Sequence, residues 1–383
     1  MPFQLVGHQL LEAHARRHGR VSVISLECFL QHGLPSTPDV VISCMAPDRG
    51  TEIFGDYVNF DGFVAGPYAA DLAQRLQLAL MSGQRRIYVV LPQRHPVGFQ
   101  WQHKNLTYIE LPEFYGTYWD FYNNEQPLVD YDAWNVGQVT KHYMCLIKRV
   151  HSTRFALFHD LVRHNLLGQG HASFHCEQID TNQQRYSAVQ FYRQVIQQFD
   201  HKHYAWIHDM ADRVESMLPY QSTPELAITD DFCESGGWIT DSRLFATSFV
   251  NVIVETYLET PGNPVFTEKT FKTIYHQRPF FLLGSPNSLR ELRGLGFRTF
   301  DRWFDESYDW GNNPTQRALQ ISAQIQKLCE SPIQDIQGML LDMRPTIEHN
   351  YHRLTELRQE LGQRVDRIDR FIIDIVDKFT PIK

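Results

Sequence analysis

Residues 265 to 297 read VFTEKTFKTIYHQRPFFLLGSPNSLRELRGLGF. Thr267 is a natural N-cap, and Glu268 suits the positive end of the helix that follows, over 267–277. Pro279 stops that helix and opens the apolar strand PFFLL, after which Pro-Asn-Ser turns the chain into a second helix over 286–294. Helix, strand and helix in so short a span form a repeating unit of an α/β layer. Helix-start chemistry accounts for Thr267 and Glu268. It does not account for Lys269, which, with Lys272, can reach a phosphate.

The same alternation extends both ways. In the first part of the chain, VSVISL, DVVISC, RIYVVL and LTYIEL read as strands, and HQLLEAHARRHG and YAADLAQRLQLALMSG as helices. Residues 116 to 140 lose the rhythm and read as a linker. A second series then runs through the strand YMCLIK, a helix from Ser152 to about Leu166, a helical stretch near 185–199 and the strand SFVNVIVETY, into the opening segment. In the last fifty residues, Leu354, Leu357, Leu361, Val365, Ile368, Ile372, Ile375 and Phe379 recur at spacings of three and four, the pattern of a helix packed on the body of the protein. The organisation expected is an α/β protein with two facing Rossmann-like domains and a C-terminal helical tail: 1–138, 139–330 and 331–383. Ligands in such sheets bind at the carboxyl ends of strands, beside helix N-termini.

With 383 residues, 43% of them hydrophobic, the chain can build two cores of ordinary size. A net charge of −8 argues against wholesale wrapping of nucleic acid. Six scattered cysteines without a CxxC read as reduced thiols, and no apolar run is long enough for a signal peptide or a spanning helix. A cytoplasmic protein is expected.

Several familiar chemistries are missing: there is no GxxxxGK[ST], no GxGxxG after a strand, no HExxH and no GxSxG. Asp130 and Asp132 form a D-x-D pair of the kind that grips a metal and a diphosphate, but only Leu128 and Val129 lead into it, so it reads as two loop acids. His201, His203 and His208 read as surface or capping histidines rather than metal ligands. No metal and no resident cofactor are expected. Arg154 is more telling. It falls in the first turn of its helix, where a cation opposes the macrodipole, and an anionic ligand such as a diphosphate would resolve the conflict. Glu255 stands at the end of an apolar strand, where a carboxylate can accept hydrogen bonds from ribose or sugar hydroxyls.

CLIKRVHSTRFALFHDL, VNVIVETY and TEKTFKTIYHQRPFFLLGSPNSL, in that order within residues 141 to 300, resemble the donor-binding half of the α1,3-fucosyltransferase-like glycosyltransferases of GT-B fold, and still more the fucosyltransferase-like proteins of bacteria and phages. The resemblance implies a nucleotide diphosphate sugar as donor and a glycan or other hydroxyl as acceptor. Arg154 is similar to the arginine on the donor diphosphate, Glu255 to the glutamate of a Glu-Asn-Ser-like triplet, Glu268 to a ribose-binding glutamate and Lys269 to a phosphate-binding lysine. Thr256 stands where the family usually has Asn, and Val265 where it often has Tyr, so a guanine nucleotide is not implied. In this reading Arg154 and Lys269 stabilise the leaving diphosphate without a metal, and the four residues Arg154, Glu255, Glu268 and Lys269 line a cleft between the halves. Glu110 or Glu113, in YIELPEFYG, would take the acceptor's proton. Two rivals are a phage-type transferase that glycosylates modified DNA bases and a GT-B-like module that binds without catalysing.

Overall fold

The computed structural model describes residues 21–25, 39–43, 86–91, 106–110, 132–149, 152–177, 188–223, 241–255, 258, 264 and 266–378. The chain divides into two compact units, Met1–Gln126 with Glu356–Lys383 and Pro127–Thr355.

In the first unit the four described strands are β1 (Val21–Ser25), β2 (Asp39–Ser43), β3 (Arg86–Leu91) and β4 (Leu106–Glu110). They pair in parallel in sequence order, with Val21 opposite Asp39, Asp39 opposite Arg86 and Ile87 opposite Leu106. Strands VSVIS, DVVIS and RIYVV are short and rich in Val and Ile, the composition of a parallel sheet.

The second unit is built on a five-stranded sheet. In chain order its elements are β5 (Lys141–Arg149), α1 (Ser152–Arg163), β6 (Gly170–Glu177), α2 (Ala188–Ile196), α3 (His201–Asp209), α4 (Ala211–Glu215) and β7 (Tyr220–Gln221). There follow α5 (Ser242–Thr247), β8 (Ser248–Val254), α6 (Glu268–Tyr275), β9 (Phe280–Leu283), α7 (Ser288–Gly294), α8 (Pro314–Cys329) and α9 (Ile333–Lys378), of which the residues from Glu356 onward belong to the first unit. The strand order is β7-β6-β5-β8-β9, parallel throughout except for the two-residue β7. From β5 the chain builds outward to β6 on one side, then returns to lay β8 on the other. The order therefore reverses between β5 and β8, where an open α/β sheet leaves a crevice at its carboxyl ends.

The apolar strands are where their patterns put them. Every residue of β9 is buried, and Asn251 alone in β8 is only partly so. A core of aromatic rings, Phe155, Phe158, Phe174, Phe249 and Phe281, is fully buried around the sheet. Strand β6 was not legible. Its GHASFHCE alternates polar with apolar residues, like a strand with one wet face, yet His171 and Ser173 are buried between neighbours. Hydrogen bonds make that burial possible: His171 meets Thr223 Oγ1 at 2.7 Å and Thr247 Oγ1 at 2.8 Å, and Ser173 Oγ accepts from Ile147 N–H at 3.2 Å. Gly170 opens the strand against the ring of Tyr143; a Cβ there would fall 2.5 Å from the ring carbons.

The helical pattern of the last fifty residues corresponds to α9, which continues through Pro345. Ile336, Leu340, Met343, Ile347, Leu354 and Leu357 form its buried stripe. No helix among the described residues is long and apolar enough to cross a membrane.

Candidate functional site

The helix that opens at Glu268 is tied to the strand before it by one carboxylate. Glu255 follows β8 and is fully buried. Its Oε1 accepts from Thr267 N–H at 3.0 Å and from Thr270 Oγ1 at 2.5 Å, while Oε2 accepts from the hydroxyl of Thr267. Its backbone is held as well: the N–H donates to Leu283 O at 2.9 Å, extending the β8–β9 ladder, and the carbonyl accepts from Arg154 Nη2 at 2.8 Å. Arg154 comes from the first turn of α1, after β5, so this bond crosses the point where the strand order reverses.

Arg154 is itself buried, 8% exposed. The cation whose place at a helix start suggested an anionic ligand has a carbonyl acceptor within the chain, an oxygen at the end of β8. Its charge also acts on Cys145 of β5, whose thiol burial pushes up to about 12 against the pull of the guanidinium.

Thr267 caps α6 as its sequence suggests, with extended backbone angles and its side chain accepting from Lys269 N–H at 3.4 Å. The ammonium of Lys269 donates to the same oxygen at 3.2 Å. Lys269 is partly exposed. Arg154, Glu255, Thr267 and Lys269 thus form one hydrogen-bonded chain, although Arg154 and Glu255 lie 101 positions apart. Lys272 stands one turn along α6, partly exposed, and its charge bears on His276.

The loop after β9 closes over this junction. A Cβ on Gly284 would meet Ser288 Oγ at 2.6 Å and lie 3.7 Å from Glu255 Cγ. Arg317 of α8, fully buried, holds that loop: Nη1 donates to Gly284 O at 2.7 Å, Nη2 to Ser285 O at 3.3 Å and Nε to Tyr308 O at 2.9 Å. Asp309 stands 3.6 Å from Arg317 and accepts from Leu289 N–H at 3.0 Å. Burial raises the Asp309 carboxyl above its ordinary range, with the Arg317 charge opposing it.

Glu113, Asp130, Thr256 and Val265 lie outside the described residues, as do the side chains of Glu110, which ends β4, and Glu268, which opens α6. Asp132 accepts from Trp134 N–H at 2.9 Å, the contact of a loop turn. The three histidines of DHKHYAWIHD serve their own helix: His203 pairs with the N-cap Asp200 at 2.8 Å, and His208 contacts Phe199 O at 2.8 Å and stacks on His201. Among the described residues no three His, Cys, Asp or Glu side chains are placed to hold a metal.

Sequence reading missed Thr270, the third group on Glu255, and Arg317, which holds the neighbouring loop. Thr270 had a weak signal, since a β-branched hydroxyl inside a short helix is there against propensity. Arg317 had none, because an arginine in PTQRALQ reads as an exposed helix face. No protein-family model matches this chain, and no curated protein or solved structure is detectably similar to it.

Proposed function

We propose that the chain is a metal-independent glycosyltransferase of GT-B type, with a second Rossmann-like domain as its donor half, moving a sugar from a nucleotide diphosphate to an acceptor hydroxyl. One observation carries the reading. Arg154, Glu255 and Lys269, three of the residues singled out by their resemblance to the fucosyltransferase-like enzymes, come from separate elements, yet they are joined through Thr267 at the carboxyl ends of β5 and β8, where the strand order reverses. That is the ligand position of open α/β sheets, with the N-terminus of α6 beside it.

In this reading the departing nucleoside diphosphate gains negative charge as the glycosidic bond to its sugar breaks. Lys269 and the first turn of α6 offset that charge. Arg154 contributes from the facing element, and Glu268 takes the ribose hydroxyls. The acceptor hydroxyl bonds to the sugar carbon and gives its proton to a carboxylate, for which Glu110 and Glu113 are the candidates.

A thermal-shift panel of GDP-, UDP-, ADP- and CDP-sugars tests the reading, because a ligand that binds only the folded chain raises its melting temperature. One nucleotide series is expected to stabilise the protein, equally with and without EDTA. A shift that EDTA abolishes would put a metal in the site. No shift with any of the four would leave a fold that binds something other than nucleotide sugars. Retention on DNA, falling steeply with salt, would favour transfer to DNA bases.

A further inference from the structure

We propose that Glu255 and Thr267 are positioning residues that aim the Lys269 ammonium, a role that rests on reading Lys269 as the cation that meets the diphosphate. The sequence points to Glu255 as a ligand-contacting carboxylate. Its surroundings point elsewhere. All four polar atoms of the residue, N, O, Oε1 and Oε2, bond to other parts of the chain, and nothing of it reaches the surface.

The hydroxyl of Thr267 has one proton to donate and two lone pairs. It is in contact with three groups: Glu255 Oε2, Lys269 N–H and Lys269 Nζ. Both lysine groups are donors only, so the hydroxyl's proton goes to Glu255 and its lone pairs face Lys269. One arrangement satisfies all three. Glu255 therefore sets the rotation of the hydroxyl, and the hydroxyl in turn presents an electron-rich oxygen to the ammonium. Thr270 bonds the other carboxylate oxygen, and its hydroxyl is not the oxygen that the Lys269 ammonium touches, which is that of Thr267. It serves as an internal control: removing its hydroxyl loosens the carboxylate without removing the acceptor that Lys269 touches.

The first experiment needs no ligand. The rate at which acetic anhydride acylates Lys269 is measured by peptide mass spectrometry in the intact protein. Acylation requires the amine to turn out toward the reagent, so the hydrogen bond that holds it against Thr267 slows the reaction. Thr267→Val is expected to raise the Lys269 rate by about three- to tenfold, the range that loss of a charged hydrogen bond at a partly exposed group implies. Thr267→Ser should restore the slow rate. Thr270→Val should leave it near wild type while lowering the melting temperature much as Thr267→Val does. If Thr267→Val does not fold, Thr267→Cys, whose sulfur is a weak acceptor of similar size, carries the same expectation. An unchanged Lys269 rate in the folded variant overturns the proposal.

The second experiment measures binding of GDP, UDP and inorganic pyrophosphate by calorimetry in a double-mutant cycle with Lys269→Ala. Thr267→Val is expected to weaken binding about fivefold in the wild-type background and by little when Lys269 is already absent. Equal losses in both backgrounds would show that Thr267 acts by another route and would refute the positioning role. If the wild-type protein binds none of the three probes, the diphosphate reading of the site falls, and the acylation rates alone decide whether Thr267 holds Lys269.

Discussion

Lys269 is the residue at which local and functional explanations part. Helix-start chemistry asks for the Thr267 cap and for an acid beside it, and would prefer no ammonium in the first turn. The structure gives that ammonium the capping oxygen itself as a hydrogen-bond acceptor. Lys269→Ala is expected to weaken nucleotide-sugar binding and slow transfer together, by about 1.5 to 3 kcal/mol in kcat/KM, since the phosphate charge it meets grows toward the transition state. The melting temperature should barely change, because the side chain is partly exposed. Glu268→Gln should raise the donor KM and leave kcat nearly unchanged, as ribose contacts persist through the reaction. Steady-state kinetics on the two variants separates these outcomes, and a Lys269→Ala enzyme with wild-type kcat/KM would remove the lysine from the mechanism.

At the scale of the elements, the edge of the five-stranded sheet shows how a strand end is kept from water and from other strands. β9 is the last strand in its order, so alternate N–H groups point away from β8. The outward N–H of Leu282 donates to the hydroxyl of Tyr308 at 3.1 Å, and Tyr308 is buried beneath the Arg317 side chain that also grips Gly284 and Ser285. One 3-10 turn, Ser307–Trp310, thus closes the sheet edge and supports the loop beside Glu255. Tyr308→Phe keeps the ring and removes the acceptor, leaving a buried N–H unpaired at a cost of about 1 to 3 kcal/mol. Urea unfolding should read that loss, and a variant as stable as wild type would mean that the edge is closed by packing alone. The apolar run of β9 was plain in the sequence. Its edge position was not, because PFFLL reads the same in the middle of a sheet as at its rim.

For the whole molecule, two buried histidines should set the acid limit of stability. His276 stacks on Phe245 with ring centroids 4.0 Å apart, and burial, helped by the charges of Lys272 and Arg278, holds it down at about 3. His159 lies within Phe155 and Tyr192, where burial lowers it to about 4 despite the carbonyl of Phe155 at 2.8 Å. Unfolded, both bind protons near pH 6.5. The unfolded state then holds more protons below that pH, so each histidine's contribution is complete above about pH 6.5. It falls by about 1.4 kcal/mol per pH unit on acidification until its folded value is reached. Denaturant unfolding from pH 7 to pH 5 should show this slope. His276→Phe, which keeps the stacked ring, should flatten it by one histidine's share whatever it does to absolute stability; an unaltered slope would place the proton uptake elsewhere. The alternation of strands and helices, the Thr267 cap and the apolar stripe of α9 were determined by the sequence alone, because each depends on neighbours within a few positions. The order β7-β6-β5-β8-β9, the burial of His171 and Ser173 and the meeting of Arg154 with Glu255 were decided only by the tertiary structure. Periodicity records which face of an element is covered. It carries no record of which distant element covers it, and a bond spanning 101 positions exists only once β5 and β8 lie side by side.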